Sequence, residues 1–136
     1  MYGPRQNPFG EAGVVAIFTS KLLKNENPII NGDGKQTRDY VFVEDVVKAN
    51  VVTLNSLSSN IYNVGTSVET NVNELFTKLN SIAGNKAIEK HGPSPKGEQA
   101  RSVITSDKLY KEFQWKPSIK IDEGLRKTFE SFKSKL

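Results

Sequence analysis

The chain has 136 residues, a length typical of one domain with a single modest core. It contains no cysteine, which excludes disulfides, thiolate metal sites and a cysteine nucleophile, and this agrees with a cytoplasmic location. A net charge of +4 is as typical of a solvated surface as of a polyanion-binding one, and no apolar run approaches the roughly 20 residues that span a membrane.

A loop rich in glycine and proline opens the chain and leads into the first predicted helix. Residues 1–10 contain two glycines and two prolines, which excludes a regular element. From about residue 11 to residue 24, apolar side chains recur at helical spacing, and they are Val14, Ile17, Phe18 and Leu22. This pattern predicts an amphipathic helix that ends before Pro28.

Two extended segments are predicted on either side of a glycine-rich turn. The turn is Asn31-Gly32-Asp33-Gly34, and a β-prone run through Phe42 follows it. Two extended segments joined by such a turn predict a hairpin. Because side chains alternate along a strand, Arg38, Tyr40 and Phe42 are expected on one face.

Two more helices and a short strand are predicted next. Glu44 and Asp45 begin a helix, where free N–H groups favour carboxylates. Residues 61–65 form a short β-prone run that a glycine ends. Asn71, with Glu74 three residues later, resembles a capping box. The helix that it opens has a clear apolar face and a glycine for its end: Val72, Leu75, Phe76, Leu79, Ile82 and Gly84.

The last part of the chain completes a mixed α/β pattern. A short strand is predicted at residues 87–90, a turn at 91–97, and helices at 106–113 and from Asp122 to the end of the chain. Residues 1–136 are therefore expected to form one α/β domain, with roughly three or four short strands and about five helices. So few and scattered strands are expected to complete a sheet that belongs to other sequence.

Neither a metal site nor a dinucleotide site is indicated. His91 has no second histidine or cysteine to share a metal, and no nucleophile elbow supports Ser-His-Asp catalysis. The Gly32-Asp33-Gly34 pattern lacks its third glycine, since Thr37 occupies that position, and a strand follows it. A hairpin turn is the better interpretation of this loop.

Three acidic residues near the same loop are expected to be structural. Alternation places Asp39 on the face opposite Arg38, and Glu44 and Asp45 are helix-start residues. We therefore expect no carboxylate cluster. No stretch interleaves aromatic with basic residues in a recognised module, so no nucleic-acid partner is expected.

Arg38 is the strongest candidate for binding an anion. An arginine with an aromatic ring, Tyr40, two positions later on the same face suits a bidentate clamp on phosphate oxygens. A surface salt bridge to a nearby carboxylate is an equally good interpretation of Arg38. Lys96 and Arg101, beside the Gly97-Glu98 turn, are candidates for a second positive contact.

Several motifs in order resemble the carboxyl-terminal part of extended short-chain dehydrogenase/reductases. They are YGPRQNPFGEAGVVAIF, GDGKQTRDYVFVEDVVKAN, IYNVGT, and Gly97-Glu98 followed later by Trp115-Lys116-Pro117. The combination is similar to UDP-glucose 4-epimerases and their nucleotide-sugar epimerase and dehydratase relatives. The similarity covers essentially the whole chain.

This resemblance implies an enzyme in two parts. An amino-terminal Rossmann domain holds NAD, and a smaller carboxyl-terminal region closes over the nucleotide-sugar. By resemblance, Arg38 binds the UDP diphosphate and Tyr40 occupies the matching aromatic position. The other implied substrate-binding residues are Ile29, Ile30 and Asn31 beside the uracil, Val72 in the pocket wall, and Val14 and Val15 at a helix start near the diphosphate.

Two departures from the family pattern bear on function. Where the family carries Arg-x-Gly-[Asp/Glu], Pro95 replaces the arginine; Glu98 remains to accept a ribose hydroxyl, and Lys96 or Arg101 is a doubtful substitute cation. The family's NAD loop and its Tyr-x-x-x-Lys pair have no counterpart in this sequence. Neither catalysis nor NAD binding is therefore expected of this chain alone.

The expected function is a UDP-sugar-binding fragment, either natural or truncated. It would need a Rossmann-type amino-terminal half, supplied in cis or in trans, to become an active NAD-dependent 4-epimerase. The alternative is a stand-alone binding, regulatory or oligomerisation module that self-associates through the surface that once met the Rossmann domain. No membrane partner is expected.

Overall fold

A computed structural model describes residues 1–9, 13–57 and 59–134. Its helices are α1 (Val14–Leu23), α2 (Val43–Thr53), α3 (Val72–Ile82), α4 (Asp107–Phe113) and α5 (Ile121–Lys133). Its strands are β1 (Ile29–Asn31), β2 (Thr37–Asp39), β3 (Glu69–Asn71), β4 (Lys90–Gly92) and β5 (Arg101–Ser102). The predicted α/β class is confirmed. The predicted helix start at Glu11 and the apolar position Leu136 lie outside the described residues.

The strands form two small sheets rather than a hairpin. β1 pairs in parallel with β4, whereas β2 lies between β3 and β5, antiparallel to the first and parallel to the second. The predicted hairpin is therefore wrong. The turn between β1 and β2 does not fold these strands onto each other. Gly34 O accepts the amides of Val72 and Asn73, and these hydrogen bonds hold the turn against the start of α3. Positive φ angles of 66° at Gly32 and 72° at Gly34 permit this path.

The main core lies where α1, α3 and α5 pack together. α3 buries the predicted face, and the side chain of Asn71 accepts the Glu74 amide at 2.8 Å, as a helix cap should. Gly84 follows the helix with a φ of 90°. In α1 the predicted positions Phe18 and Leu22 are buried, whereas Val14 and Ile17 are only partly buried and line a cavity. The buried face is shifted to include Val15 and Thr19, because the helix packs against both α3 and α5.

Strand prediction was less accurate than helix prediction. Residues 61–65 belong to no strand among the described residues, and Ile61 is exposed. The strand predicted at 87–90 forms later, at β4, so that His91 lies in a strand rather than a turn. β3 and β5 were not predicted, since their short polar sequences carry no apolar alternation.

Asp45 joins α2 to the segment between α4 and α5. Its fully buried carboxylate accepts the Ser118 amide, the Ser118 hydroxyl and the Ile119 amide at 3.0, 2.6 and 2.9 Å. The Trp115 indole donates to its backbone oxygen. Burial raises the pKa of Asp45, but these hydrogen bonds and one from Lys48 outweigh burial, so its pKa is below the usual value.

Asp45→Ala is expected to lower the free energy of unfolding by about 3 kcal/mol, because it leaves several buried donors unpaired. Since the folded-state pKa of Asp45 is lowered, the wild type should lose this advantage as the pH falls through that pKa. Urea unfolding at neutral and acid pH measures both effects. Glu130→Ala, an exposed carboxylate on α5, is the control, with an expected change below about 0.5 kcal/mol. Equal losses in the two variants would contradict the role given to Asp45.

Candidate functional site

A cavity of about 440 Å³ lies among the start of α1, strands β1 and β2, and the start of α3. A volume of this size suits a small organic ligand. Eight residues that the sequence analysis named as binding candidates line it: Val14, Val15, Ile29, Asn31, Arg38, Tyr40, Val72 and Glu98. These residues are far apart in sequence, and the fold brings them to one place.

Two other predicted site residues are not part of this lining. Ile30 is fully buried in the main core, because alternation along β1 points it away from Ile29 and Asn31. The Arg101 guanidinium donates to both oxygens of Glu69, at 2.7 and 2.9 Å, and Glu69 also accepts the Thr37 hydroxyl. The charge of Arg101 is thus paired across the three-stranded sheet rather than in the cavity.

Arg38 is held by its own strand and by the loop between β4 and β5. Its Nη1 donates to the carbonyls of Thr37 and Gln99, at 2.7 and 2.6 Å, and its Nη2 lies 3.8 Å from the Glu98 carboxylate. The salt bridge that the sequence suggested is therefore present, although Arg38 also lines the cavity. A partly exposed guanidinium in a fixed orientation is suited to binding an anion.

Glu98 lies at one end of the cavity, where Gln36 connects it to β1. The Gln36 amide donates to Asn31 O at 3.0 Å and to the Glu98 carboxylate at 3.3 Å. The loop that carries Glu98 is anchored to β2 by the hydrogen bond from Thr37 N to Ala100 O. A carboxylate at this end of the cavity can accept hydroxyl donors.

Tyr40 contributes a buried hydroxyl with no hydrogen-bond partner among the described residues. Burial, opposed by Arg38 and reinforced by Glu98, raises the pKa of Tyr40 to about 12. Its phenol is therefore neutral near pH 7 and is able to donate a hydrogen bond. β2 ends at Asp39, and the Tyr2 ring beyond it packs edge-on against both Tyr40 and Phe42, of which Phe42 is buried in the core.

Asp39 has a structural role, in line with the sequence analysis. Its carboxylate accepts the backbone amides of Thr66 and Ser67 and the Thr66 hydroxyl. The described residues contain no group of three His, Asp or Glu side chains placed to hold a metal. None of the helices that the structure describes has the length and apolar character needed to cross a membrane.

The amino-terminal end of α1 also faces the cavity. Gly13 precedes the helix, and Gly13, Val14 and Val15 all contribute to the lining. The first amides of a helix carry partial positive charge and are suited to bind anions. Arg38 and this helix end therefore both present hydrogen-bond donors to the cavity.

Gln6 and Gln36 line the cavity but were not predicted as site residues. Both lie in irregular segments, where no periodicity identifies the face on which a side chain lies. Gln6 was part of a family motif, but that motif gave no role to its amide. Only the folded position of each amide shows that it belongs to the site.

Tyr40→Phe is expected to leave the free energy of unfolding unchanged or to raise it by about 1 kcal/mol at neutral pH, because the deleted hydroxyl has no partner. As the pH rises from about 10 towards 12, the wild type should lose stability relative to the variant, since the unfolded chain ionises first. Chemical unfolding across this range measures both effects.

The control is Tyr62→Phe, which removes a hydroxyl that bonds Glu112 and should therefore reduce stability slightly at neutral pH. A clear loss of stability in Tyr40→Phe at neutral pH would show that its hydroxyl is paired after all.

Known proteins similar to this chain agree with these features. Residues 1–65 match the NAD dependent epimerase/dehydratase family. A putative UDP-glucose 4-epimerase of Methanocaldococcus jannaschii is 43% identical over 134 residues, which are 98% of this chain and 43% of the relative. The UDP-glucose 4-epimerase of Mycolicibacterium smegmatis is 42% identical, over 99% of this chain and 44% of the relative.

Solved structures give the same result. A UDP-glucose 4-epimerase with UDP-glucose from Thermotoga maritima superposes with a TM-score of 0.95 at 42% identity, over 98% of this chain and 43% of that one. The Thermus thermophilus UDP-glucose 4-epimerase in complex with NAD superposes with a TM-score of 0.88 at 37% identity, over 99% of this chain and 44% of that one. The chain spans less than half the length of these relatives. By sequence and fold, this chain is similar to members of the NAD dependent epimerase/dehydratase family over less than half of their length.

Proposed function

We propose that this chain is the nucleotide-sugar-binding part of a UDP-glucose 4-epimerase-like enzyme and is not catalytic by itself. The observation that carries the proposal is the single cavity that Arg38, Tyr40 and the start of α1 share. The similar protein from Thermotoga maritima was solved with UDP-glucose, which supports a ligand of that class.

The part of the cavity that Arg38 and the start of α1 line suits the diphosphate. Arg38 offers guanidinium donors, the start of α1 offers backbone amides, and the neutral Tyr40 hydroxyl offers one more donor. No second arginine is needed for this arrangement. Arg101 is paired with Glu69 and lies outside the lining, and exposed Lys96 is not part of it either.

The lining residues next to Arg38 on β1 and on the loop between β4 and β5 suit the nucleoside. Ile29 and Val72 offer apolar surface, and the backbone of Asn31 offers polar groups at the edge of β1. Glu98 accepts hydrogen bonds, as a partner of a ribose hydroxyl must. The uracil and ribose would therefore lie between β1 and the loop that carries Glu98.

The glycine loop of this chain does not fit NAD. Gly32 and Gly34 precede strand β2, whereas a dinucleotide loop leads into a helix. A Cβ placed at Gly34 would lie 1.7 Å from the side-chain oxygen of Asn73, so that side chain already fills the space beside this glycine. NAD supplies a hydride acceptor where the family binds it, and we assign no such step to the residues described here.

An exposed apolar surface on α2 supports a Rossmann-type amino-terminal half as the partner, in cis or in trans. Val47, Val51 and Leu54 project from this helix, and Leu54 is 75% exposed. Ile61, in the segment that follows α2 and belongs to no strand among the described residues, is 88% exposed. Apolar surface of this kind marks an interface.

The same surface supports the alternative, a stand-alone module that self-associates. A second copy of the chain would then cover α2 in place of a Rossmann-type half. The two possibilities differ in the mass of the isolated protein in solution.

Arg38→Met should weaken UDP-glucose binding about 10- to 100-fold, because it removes charged donors and keeps the apolar stem. An NMR titration measures the affinity even where binding is weak. Arg126→Met, an exposed arginine on α5, is the matched control and should leave the affinity unchanged. Since Arg38 also bonds Gln99 O, thermal unfolding must show that the variant stays folded. Equal affinity in the two variants would refute the proposed site.

Val51→Lys separates the two possible partners. If the chain self-associates through α2, light scattering should show a mass that rises with concentration for the wild type, and a monomer for Val51→Lys. Ile88→Lys changes an exposed apolar residue elsewhere and should behave as the wild type does. A wild-type monomer at all concentrations would count against self-association and favour a Rossmann-type partner.

A further inference from the structure

His91 joins strand β4 to the turn between β1 and β2. Its Nδ1 lies 2.7 Å from Gly32 O in that turn, and its Nε2 lies 2.8 Å from the carboxylate of Glu89, just before β4. The sequence contains no other histidine. The ring is therefore within hydrogen-bond distance of a partner at both of its nitrogens.

Both partners of the ring accept hydrogen bonds and have none to donate. One is a backbone carbonyl and the other is a carboxylate. A neutral imidazole carries one N–H group and satisfies one of them, whereas the imidazolium carries two and satisfies both. A hydrogen bond to a carboxylate is stronger than one to a neutral carbonyl, so the neutral ring is expected to keep its hydrogen at Glu89. Gly32 O then loses its donor.

The surroundings of the ring favour its protonated form. The hydrogen bonds to Glu89 and then to Gly32 O raise the pKa of His91 above its ordinary value, while partial burial opposes them. The charge of Asp33 adds to the rise, although Lys35 pairs with Asp33 at 3.8 Å. The charged side chains on the segments around the ring are Asp33 and Lys35 on the turn, Glu89 and Lys90 on its own segment, and Lys96 and Glu98 on the loop that follows.

The turn that His91 contacts forms part of the cavity wall. Asn31, which directly precedes Gly32, lines the cavity, and so does Gln36, which donates to Asn31 O. Besides the contact with His91, the hydrogen bond from Gly32 N to Gly92 O at 2.9 Å connects this turn to β4. A change in the hydrogen bond of His91 therefore acts directly beside the cavity.

We infer that Glu89, His91 and Gly32 form a proton-dependent clasp, which holds the turn against β4 while the ring is protonated and loosens this wall of the cavity when the proton leaves. The inference goes beyond the proposed function, because it concerns contacts within the chain and holds whichever ligand the cavity binds. Because the folded-state pKa of His91 is raised, the stability that the clasp contributes is complete below the pKa of an unfolded histidine. It is lost as the pH rises through the folded-state pKa.

Glu89→Gln keeps the shape of the side chain and removes its charge. Its amide is able to donate to a neutral ring nitrogen, so Gly32 O keeps its donor without a proton on the ring. In NMR titrations of the full chain from about pH 5 to about pH 9, the His91 pKa should be lower in this variant than in the wild type. The amide signals of Gly32 and Asp33 should follow the ring titration in the wild type and not in the variant. Glu130→Gln, an exposed carboxylate on α5, is the control and should leave the pKa of His91 unchanged.

A measurement on the wild type keeps the test independent of how well the variant folds. The single histidine gives one set of ring signals, whose ¹⁵N shifts show which nitrogen keeps its hydrogen. We expect a pKa above about 6.5 and, above that pKa, a hydrogen on Nε2. A ring pKa at or below about 6.5, a hydrogen on Nδ1 in the neutral ring, or an unchanged pKa in Glu89→Gln would overturn the inference. Each of these results would leave the proposed function intact, since none involves a ligand.

Discussion

The position of the candidate site depends on the pairing of β2 with a strand on each side. Arg38 lies opposite Thr70 of β3 and opposite Ser102 of β5. Because both backbone edges of this three-residue strand are bonded, the arginine cannot move with a flexible loop. The same pairing brings the loop that carries Glu98 to the cavity. It also fixes the position of Tyr40, which directly follows β2.

The charges around the cavity are nearly balanced before any ligand binds. Arg38 is offset by Glu98, while the Asp39 carboxylate is occupied by the amides of Thr66 and Ser67. Tyr40 is neutral, since burial raises its pKa. Two atoms of residues that line the cavity, the Tyr40 hydroxyl and Gln6 Oε1, are buried and have no hydrogen-bond partner among the described residues.

The surface of the protein also exposes apolar side chains. Apolar side chains on α2 and at Ile61 are exposed, although residues of this type are usually buried in a core. The chain also covers only 43% of the Thermotoga maritima epimerase that it superposes on. An interaction surface of this kind agrees with a binding part that works against a second part. A Rossmann-type half or a second copy of this chain would each cover this surface.

Local sequence signals determined the helices, and tertiary pairing decided the rest. The Asn71 cap, the apolar face of α3 and the glycine at its end act within a few residues, so the sequence alone was sufficient to predict them. The sequence analysis likewise named half of the residues that line the cavity. Strand partners depend on residues far away in the chain, and for that reason the hairpin was wrong and residues 61–65 gained no strand.

The same distinction applies to individual side chains. Nothing local shows that Arg101 is paired with Glu69, that Ile30 is in the core, or that the Gln6 amide is buried without a partner. The sequence by itself determined which residue types are present and which local elements they form. Only the tertiary structure decided which charges are already paired and which polar atoms are left for a ligand, because both depend on contacts between distant parts of the chain.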